Sequence, residues 1–241
     1  MPSLISIRGV LNAELLRMLR DKFLIGITIY LLFVFVVIRL ILSAEVAEGN
    51  KELIPHIPLI FSYFVVQIAP MIPGIIGGFL LLESREEGAV KALMVAATPL
   101  PTYLSIVNVA MFAAAFLLTL LGGAIIGVGL PPWPALCGIA LAGAPAGPLF
   151  ALLIAAIANN KVQAFACMKL YGLGPFLVVG AWFMPDTWQW LVAIYPPYWA
   201  TKAYWVAEAG GAWLPWTLGG VITSTIWIGA LRRLFLRAAR K

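Results

Sequence analysis

The sequence predicts an all-α protein that crosses a membrane six times. Of its 241 residues, 63% are hydrophobic and only 11% are charged, whereas a soluble domain carries roughly 25% charged residues. Six continuous apolar runs reach the roughly 20 residues that a helix needs to cross the hydrocarbon core. Continuous runs favour helices over barrel strands, which alternate in polarity. The predicted spans, numbered one to six, are 23–42, 57–82, 102–128, 135–157, 164–184 and 213–234.

The basic residues predict the orientation of these spans. They concentrate at the two termini and in the loops that follow spans two and four, while the alternate loops hold only Lys51 and Lys202. Cytoplasmic loops carry the excess of lysine and arginine, so both termini are expected in the cytoplasm. The basic residues that give the chain its net charge of +6 are therefore expected to contact anionic lipid headgroups rather than nucleic acid.

Several kinds of chemistry have no motif in this chain. No phosphate-binding loop, dinucleotide fingerprint, zinc-protease helix or serine nucleophile elbow occurs. His56 is the only histidine, and both cysteines, Cys137 and Cys167, fall inside spans. We predict two buried apolar thiols, no disulfide, no metal site and no cofactor bound by this chain.

The segment 1–22 precedes span one and has an amphipathic pattern. Its apolar residues recur every three or four positions, which places them on one helical face. We predict a helix lying in the membrane interface. The alternative is a simple extension of span one.

A charged segment, 83–98, separates spans two and three. Ser84 and Glu87 have the spacing of a capping box, which predicts that a new helix starts there. Thr98-Pro99 predicts its end, because a residue before proline avoids the helical region. An amphipathic helix with a charged start favours docking to another protein, and a solvated linker is the alternative.

Three further features bear on how the spans pack and where their charges lie. Span two carries Pro70, Pro73 and the small-residue pair Gly74 and Gly78, which favours close approach of another helix. Arg39 in span one is expected to snorkel to the membrane edge or to pair with a nearby glutamate, rather than to take part in transport. An aromatic stretch, 185–212, is expected to form two short re-entrant helices packed on the bundle.

Three sequence segments resemble permease subunits of the ABC-2 type of ABC exporter. LLLESREEGAVKALMVAATPLPTYL (80–104) is similar to the coupling-helix segment of that family, ANNKVQAFACMKLYGLGPF (158–176) to its turn into span five, and FMPDTWQWLVAIYPPYWATKAYW (183–205) to its outer re-entrant helices. The resemblance covers nearly the whole chain as one transmembrane domain, 1–241. It is greatest to small six-span bacterial permeases of the fluoroquinolone-exporter type. Many family members carry a bulkier residue or threonine where this chain has Ala89.

The resemblance implies a bacterial or archaeal inner-membrane protein that works with an ABC ATPase subunit and a second permease half, as a homodimer or heterodimer. ATP and Mg would be used by the ATPase. The segment 1–22 would be the elbow helix and 83–98 the coupling helix. The residues that would contact the ATPase are Glu83, Arg85, Glu86, Glu87, Gly88 and Lys91. The central path would be lined mainly by spans one, two and five, and the candidates are Tyr30, Phe33, Gln67, Asn108 and Trp182.

The function expected from these observations is ATP-driven export of an amphipathic or hydrophobic small molecule, with the chain acting as a permease and not as an enzyme. Two alternatives remain open at the level of sequence. One is a polytopic enzyme acting on lipid, for which the spans offer only Arg39, Lys169 and scattered amides and hydroxyls. The other is a membrane binding or immunity protein that does not transport.

Overall fold

The computed structural model describes residues 22–86 and 100–238, which contain helices and turns and no strand. Six helical stretches are long and apolar enough to cross a membrane, and they confirm the six predicted spans. Their bounds are Ile25–Glu48, Ile54–Glu86, Leu100–Ile126, Trp133–Ile157, Lys161–Trp182 and Leu214–Arg237. Segment 1–22, apart from Lys22, and most of the charged segment lie outside the described residues.

Only three of the spans are continuous α-helices: α1 (Lys22–Glu48), α4 (Leu100–Ile126) and α11 (Leu214–Ala238). Span two combines a 3-10 turn (Ile54–His56), α2 (Ile57–Phe61), a π-helical segment (Ser62–Ile68) and α3 (Ala69–Glu86). Span four consists of α5 (Trp133–Gly143) and α6 (Ala146–Ile157), and span five of α7 (Lys161–Tyr171) and α8 (Gly174–Trp182). The aromatic stretch forms α9 (Asp186–Gln189), a 3-10 turn (Val192–Ile194) and α10 (Pro197–Glu208).

Spans two and four form the centre of the bundle. In the apolar 18-residue stretch of each of these two spans, 94% and 83% of the residues are buried. The corresponding share in the other four spans is 22–28%. The peripheral spans therefore expose most of their surface outside the chain, where only lipid or another membrane protein can cover it. We call the end of the bundle that carries Arg85 and Lys161 the basic end, and the end that carries the aromatic stretch the aromatic end.

Glycine allows spans two and four to approach backbone to backbone. A Cβ added at Gly74 would lie 2.4 Å from Phe150 Cβ and 2.5 Å from the Gly147 carbonyl oxygen. A Cβ at Gly78 would lie 2.8 Å from Ile154 Cβ. The small-residue pair predicted to admit another helix is confirmed, and span four is that helix.

Proline divides spans four and five. Pro145 stands between α5 and α6, and Pro175 follows the gap between α7 and α8. Proline has no N–H to donate and its ring displaces the preceding turn, so each helix ends and restarts. The sequence predicts both spans as unbroken helices, because hydropathy measures apolar content and does not detect such breaks.

The predicted helix start at Ser84 is wrong. Helix α3 runs through to Glu86, and the buried Ser84 hydroxyl donates to the Leu80 carbonyl oxygen at 2.9 Å inside that helix. A serine within a helix satisfies its hydroxyl four residues back, which removes the need for a cap. The charged segment therefore begins as an extension of span two.

One of the two alternatives for Arg39 and the expectation for the cysteines differ from the structure. Arg39 pairs with neither nearby glutamate: its Nη1 donates to the Ile125 carbonyl oxygen at 2.8 Å, where span three ends. A cation is favoured at a helix C-terminus, where carbonyl groups lack partners.

Cys137 is exposed rather than buried, Cys167 is partly buried, and both thiols are free.

The aromatic stretch packs on the bundle, as predicted. The Tyr204 ring stacks on Phe61 with centroids 4.8 Å apart, and its hydroxyl donates to the Gly129 carbonyl oxygen at 2.8 Å. Trp205 Nε1 donates to Ser62 Oγ at 3.0 Å. These bonds join α10 to span two and to the turn between spans three and four.

The Gly74 contact predicts a sharp difference between two glycine substitutions. Gly74→Ala should lower the melting temperature in detergent by several degrees, because overpacking a filled contact costs about 1–3 kcal/mol. Gly180→Ala is the matched control, since a Cβ there meets no atom within 4 Å and alanine favours helix. Near-UV circular dichroism measures both. Equal melting temperatures for the two variants would contradict the close packing of spans two and four.

Candidate functional site

Four polar side chains join spans two, four and five at the basic end, and we call them the Arg85 cluster: Glu83, Arg85, Asn159 and Lys161. Arg85 Nη1 donates to the Ala155 carbonyl oxygen at 2.8 Å. Its Nη2 donates to the Ala158 carbonyl oxygen at 2.6 Å and to Asn159 Oδ1 at 3.2 Å. One guanidinium group from span two thus holds the end of span four.

Helix geometry explains why an arginine lies here. Helix α6 ends at Ile157, and the last carbonyl groups of a helix have no partner within it. The partial negative charge of that end attracts a cation, and the planar guanidinium can serve several acceptors at once. Arg85 therefore satisfies backbone groups that would otherwise remain unpaired near the bilayer.

An ion pair extends the cluster to span five. Lys161 Nζ lies 2.5 Å from Glu83 Oε1. Lys161 opens α7, whose first turn is capped by Asn160: its Oδ1 accepts from the Gln163 backbone N–H at 2.9 Å. An ion pair this exposed contributes little stability by itself, at most about 1 kcal/mol. Its importance is positional, because it ties the end of span two to the start of span five.

The six residues predicted to contact an ATPase do not form one exposed group. Glu83 and Arg85 are engaged within the chain, as described above. Glu86 is exposed at the end of α3, and Glu87, Gly88 and Lys91 lie outside the described residues. Docking through these residues stays a prediction.

The five predicted path residues lie in different environments. Tyr30 and Phe33 are 66% and 63% exposed on the outer face of span one. Gln67 is buried in span two with its Oε1 unpartnered among the described residues, as is Asn108 Oδ1 in span three. Trp182 packs edge-on against Trp205 at 5.0 Å. These residues do not share one surface within the chain, and their lining of a path stays a prediction.

A second polar group lies at the aromatic end. Lys202 Nζ donates to Asp186 Oδ1 and to Gln189 Oε1, each at 2.7 Å. The Tyr198 hydroxyl also donates to Gln189 Oε1, at 3.2 Å. Burial, together with the nearby Asp186 carboxylate, raises the pKa of Tyr198 to about 12. The tyrosine is therefore a neutral donor at physiological pH, and the group fixes α9 on α10.

Sequence reasoning missed the roles of Asn159 and Lys161. The only signal was the Asn159-Asn160-Lys161 turn itself, in which an asparagine precedes an apolar helix as caps do. Two of the three acceptors for Arg85 are backbone carbonyl oxygens, which leave no side-chain signature.

Comparison with known proteins identifies the family. A family model described as "Fluoroquinolones export permease protein Rv2686c-like" matches residues 14–232. The chain belongs to this family. Relatives of the same description from two Mycobacterium tuberculosis strains, CDC 1551 / Oshkosh and H37Rv, are each 30% identical over 194 residues, which cover 76% of this chain and 74% of the relative. No solved structure matches.

Family membership confirms the resemblance to six-span permeases of the fluoroquinolone-exporter type. The chain is a multi-pass membrane permease of the drug-export class. The Arg85 cluster lies within the matched region, at the end of span two that leads into the charged segment.

Removing the Arg85 guanidinium should destabilise the basic end. In Arg85→Leu the Ala155 and Ala158 carbonyl groups lose a charged donor, each such bond being worth about 1.5–3 kcal/mol. We expect a clearly lower melting temperature in detergent and an intermediate value for Arg85→Lys, which keeps the charge without the planar fork. Arg233→Leu is the control, since Arg233 is exposed at the same end. If Arg85→Leu melted like the control, the cluster would have no structural role.

Proposed function

We propose that this chain is the permease subunit of an ATP-driven exporter in a bacterial or archaeal inner membrane, with both termini in the cytoplasm. A separate ABC ATPase subunit, which uses ATP and Mg, docks on the charged segment. A second permease half, identical or different, completes the transport path. The exported molecule is an amphipathic or hydrophobic small molecule, and the names of the relatives point to fluoroquinolones.

The observation that carries the proposal is the connection made by the Arg85 cluster. Glu83 and Arg85 belong to the charged segment, and they bind the start of span five and the end of span four. A partner that displaces the charged segment therefore pulls on three spans at once. Spans four and five are each divided into two helices, so their halves can reorient without breaking a continuous helix.

The second permease half is supported by the exposed face of span one. Tyr30 and Phe33 are more than half exposed, whereas the buried face of the same helix carries Leu31 and Phe35. If span one lines the path, as the family resemblance implies, its lining side chains meet the substrate between two permease halves rather than inside one chain.

Charge reversal at the start of the charged segment tests docking. The double variant Glu86→Lys, Glu87→Lys should abolish drug-stimulated ATP hydrolysis when the permease is reconstituted with its ATPase in proteoliposomes, because the reversed charges repel the complementary surface of the ATPase. Basal hydrolysis by the ATPase alone should stay unchanged.

The matched control reverses two carboxylates at the opposite end of the bundle. Glu48 and Glu52 are both exposed there, so Glu48→Lys, Glu52→Lys makes the same change of net charge away from the charged segment. The control should retain stimulation. Full stimulation in the Glu86, Glu87 variant would show that the ATPase does not dock there.

A further inference from the structure

A cavity of about 350 Å³ lies at the aromatic end, between α9, α10 and the start of span six. Its walls combine two indole rings with an ion pair, and the lining residues are Asp186, Trp190, Tyr198, Lys202, Val206 and Trp216. The Asp186 side chain is 84% exposed, so the cavity opens to the surroundings. It is far larger than the roughly 10–15 Å³ that one water molecule needs, and it admits a group of several atoms.

The cavity lies at the depth of phospholipid headgroups. Asp186 follows Trp182, where span five ends, by four residues, and Trp216 lies two residues after Leu214, where span six begins. Both residues are therefore at the edge of the hydrocarbon core. Tryptophan concentrates at this depth because its ring prefers lipid and its N–H prefers the polar layer. Headgroups of the surrounding lipids are the groups present at the highest concentration there.

One cation and one anion lie side by side in the wall. Lys202 Nζ donates to Asp186 Oδ1 and to Gln189 Oε1, and it lies 5.7 Å from the centroid of the Trp216 ring. These bonds use two of the three N–H donors of the ammonium group, and no third acceptor lies among the described residues. The Lys202 side chain is only 14% exposed. The pair is therefore a fixed dipole, with its positive end against Trp216 and its negative end facing outwards.

The dipole determines which headgroup fits. A zwitterionic headgroup is itself a dipole, because its phosphate and its ammonium group are only a few atoms apart. Placed antiparallel to the pair, its phosphate accepts the third N–H of Lys202, and its ammonium donates to the second carboxylate oxygen of Asp186. Both are charge-assisted hydrogen bonds. An anionic headgroup without an ammonium gains the bond to Lys202 but is repelled by Asp186.

The indole rings favour the same orientation. Trp190 is 57% exposed and lies beside Trp216, with ring centroids 5.7 Å apart. A cation over the face of a tryptophan is attracted by the ring. Trp190 therefore offers a second contact to the ammonium group of a headgroup bound at Asp186.

We propose that this cavity binds the headgroup of a zwitterionic phospholipid that carries a primary ammonium group. The phosphate binds at Lys202, and the ammonium group binds at Asp186 and Trp190. A lipid in this position contacts α9, α10 and the start of span six at once, and so fastens the aromatic stretch to the last span. The proposal concerns lipid recognition and does not depend on what the chain exports.

Competition between two lipids tests the cavity. The full chain in detergent is given equal amounts of phosphatidylethanolamine and phosphatidylglycerol with the same acyl chains, and native mass spectrometry identifies the first lipid bound. Only phosphatidylethanolamine carries an ammonium group. The unmodified chain should retain it about two- to five-fold over phosphatidylglycerol, which is the effect of one exposed charge pair. Asp186→Asn keeps the size of the side chain and should bring this ratio to about one, because the dipole loses its negative end.

Glu208→Gln is the matched control. Glu208 is exposed at the end of α10 and does not line the cavity, so this variant makes the same change of charge at the same end of the bundle. It should keep the preference of the unmodified chain. Trp190→Leu is a second variant that removes the ring facing the ammonium group, and it should lower the preference as well.

Two results would overturn the proposal. One is an unmodified chain that retains the two lipids equally or prefers phosphatidylglycerol. The other is a preference that persists at the level of the control in both Asp186→Asn and Trp190→Leu. Loss of the preference in Asp186→Asn, with an unchanged melting temperature, supports the site.

Discussion

The backbone contact between spans two and four determines how the rest of the bundle is arranged. Without the glycines at this contact, Phe150 and Ile154 would collide with span two, and the two central spans would separate by the width of a side chain. Inside a bilayer, helices gain little from the hydrophobic effect and associate through close packing. The other four spans then surround this pair and expose one side each. The same contact places the ends of spans two and four side by side, within reach of one arginine.

Helix ends in this protein are repeatedly satisfied by arginine. Arg39 binds the end of span three and Arg85 the end of span four, and each donates to backbone carbonyl oxygens there. Since lipid offers no donors, an unpaired carbonyl group near the core is costly. In each pair a cation near the membrane edge offsets that cost and at the same time joins two spans. Arg85, one of the basic residues from which the orientation is predicted, therefore also takes part in the tertiary structure.

The sequence was sufficient to predict the six spans. It was not sufficient to predict which spans pack against each other. Length and apolar content identify a membrane helix because only one or two structures satisfy the backbone in lipid. The Gly74–Gly78 pair predicted a close contact but not that span four would fill it. The capping pattern at Ser84 was misleading, because continuing a buried helix satisfied the same hydroxyl. Contacts with backbone atoms far away in the chain, such as those of Arg85, leave no trace in residue type.

Helix α7 is an arm held at both ends. One end carries Lys161 in its ion pair with Glu83, and the other ends at Tyr171, beside Gly172 and the Tyr195 ring. Its 11 residues make an arm of roughly 16 Å, so a tilt of about 10° shifts one end by roughly 3 Å. That displacement is comparable to the length of a hydrogen bond. A small rotation at the basic end is therefore enough to make or break the contact between the Tyr171 and Tyr195 rings at the far end of the arm.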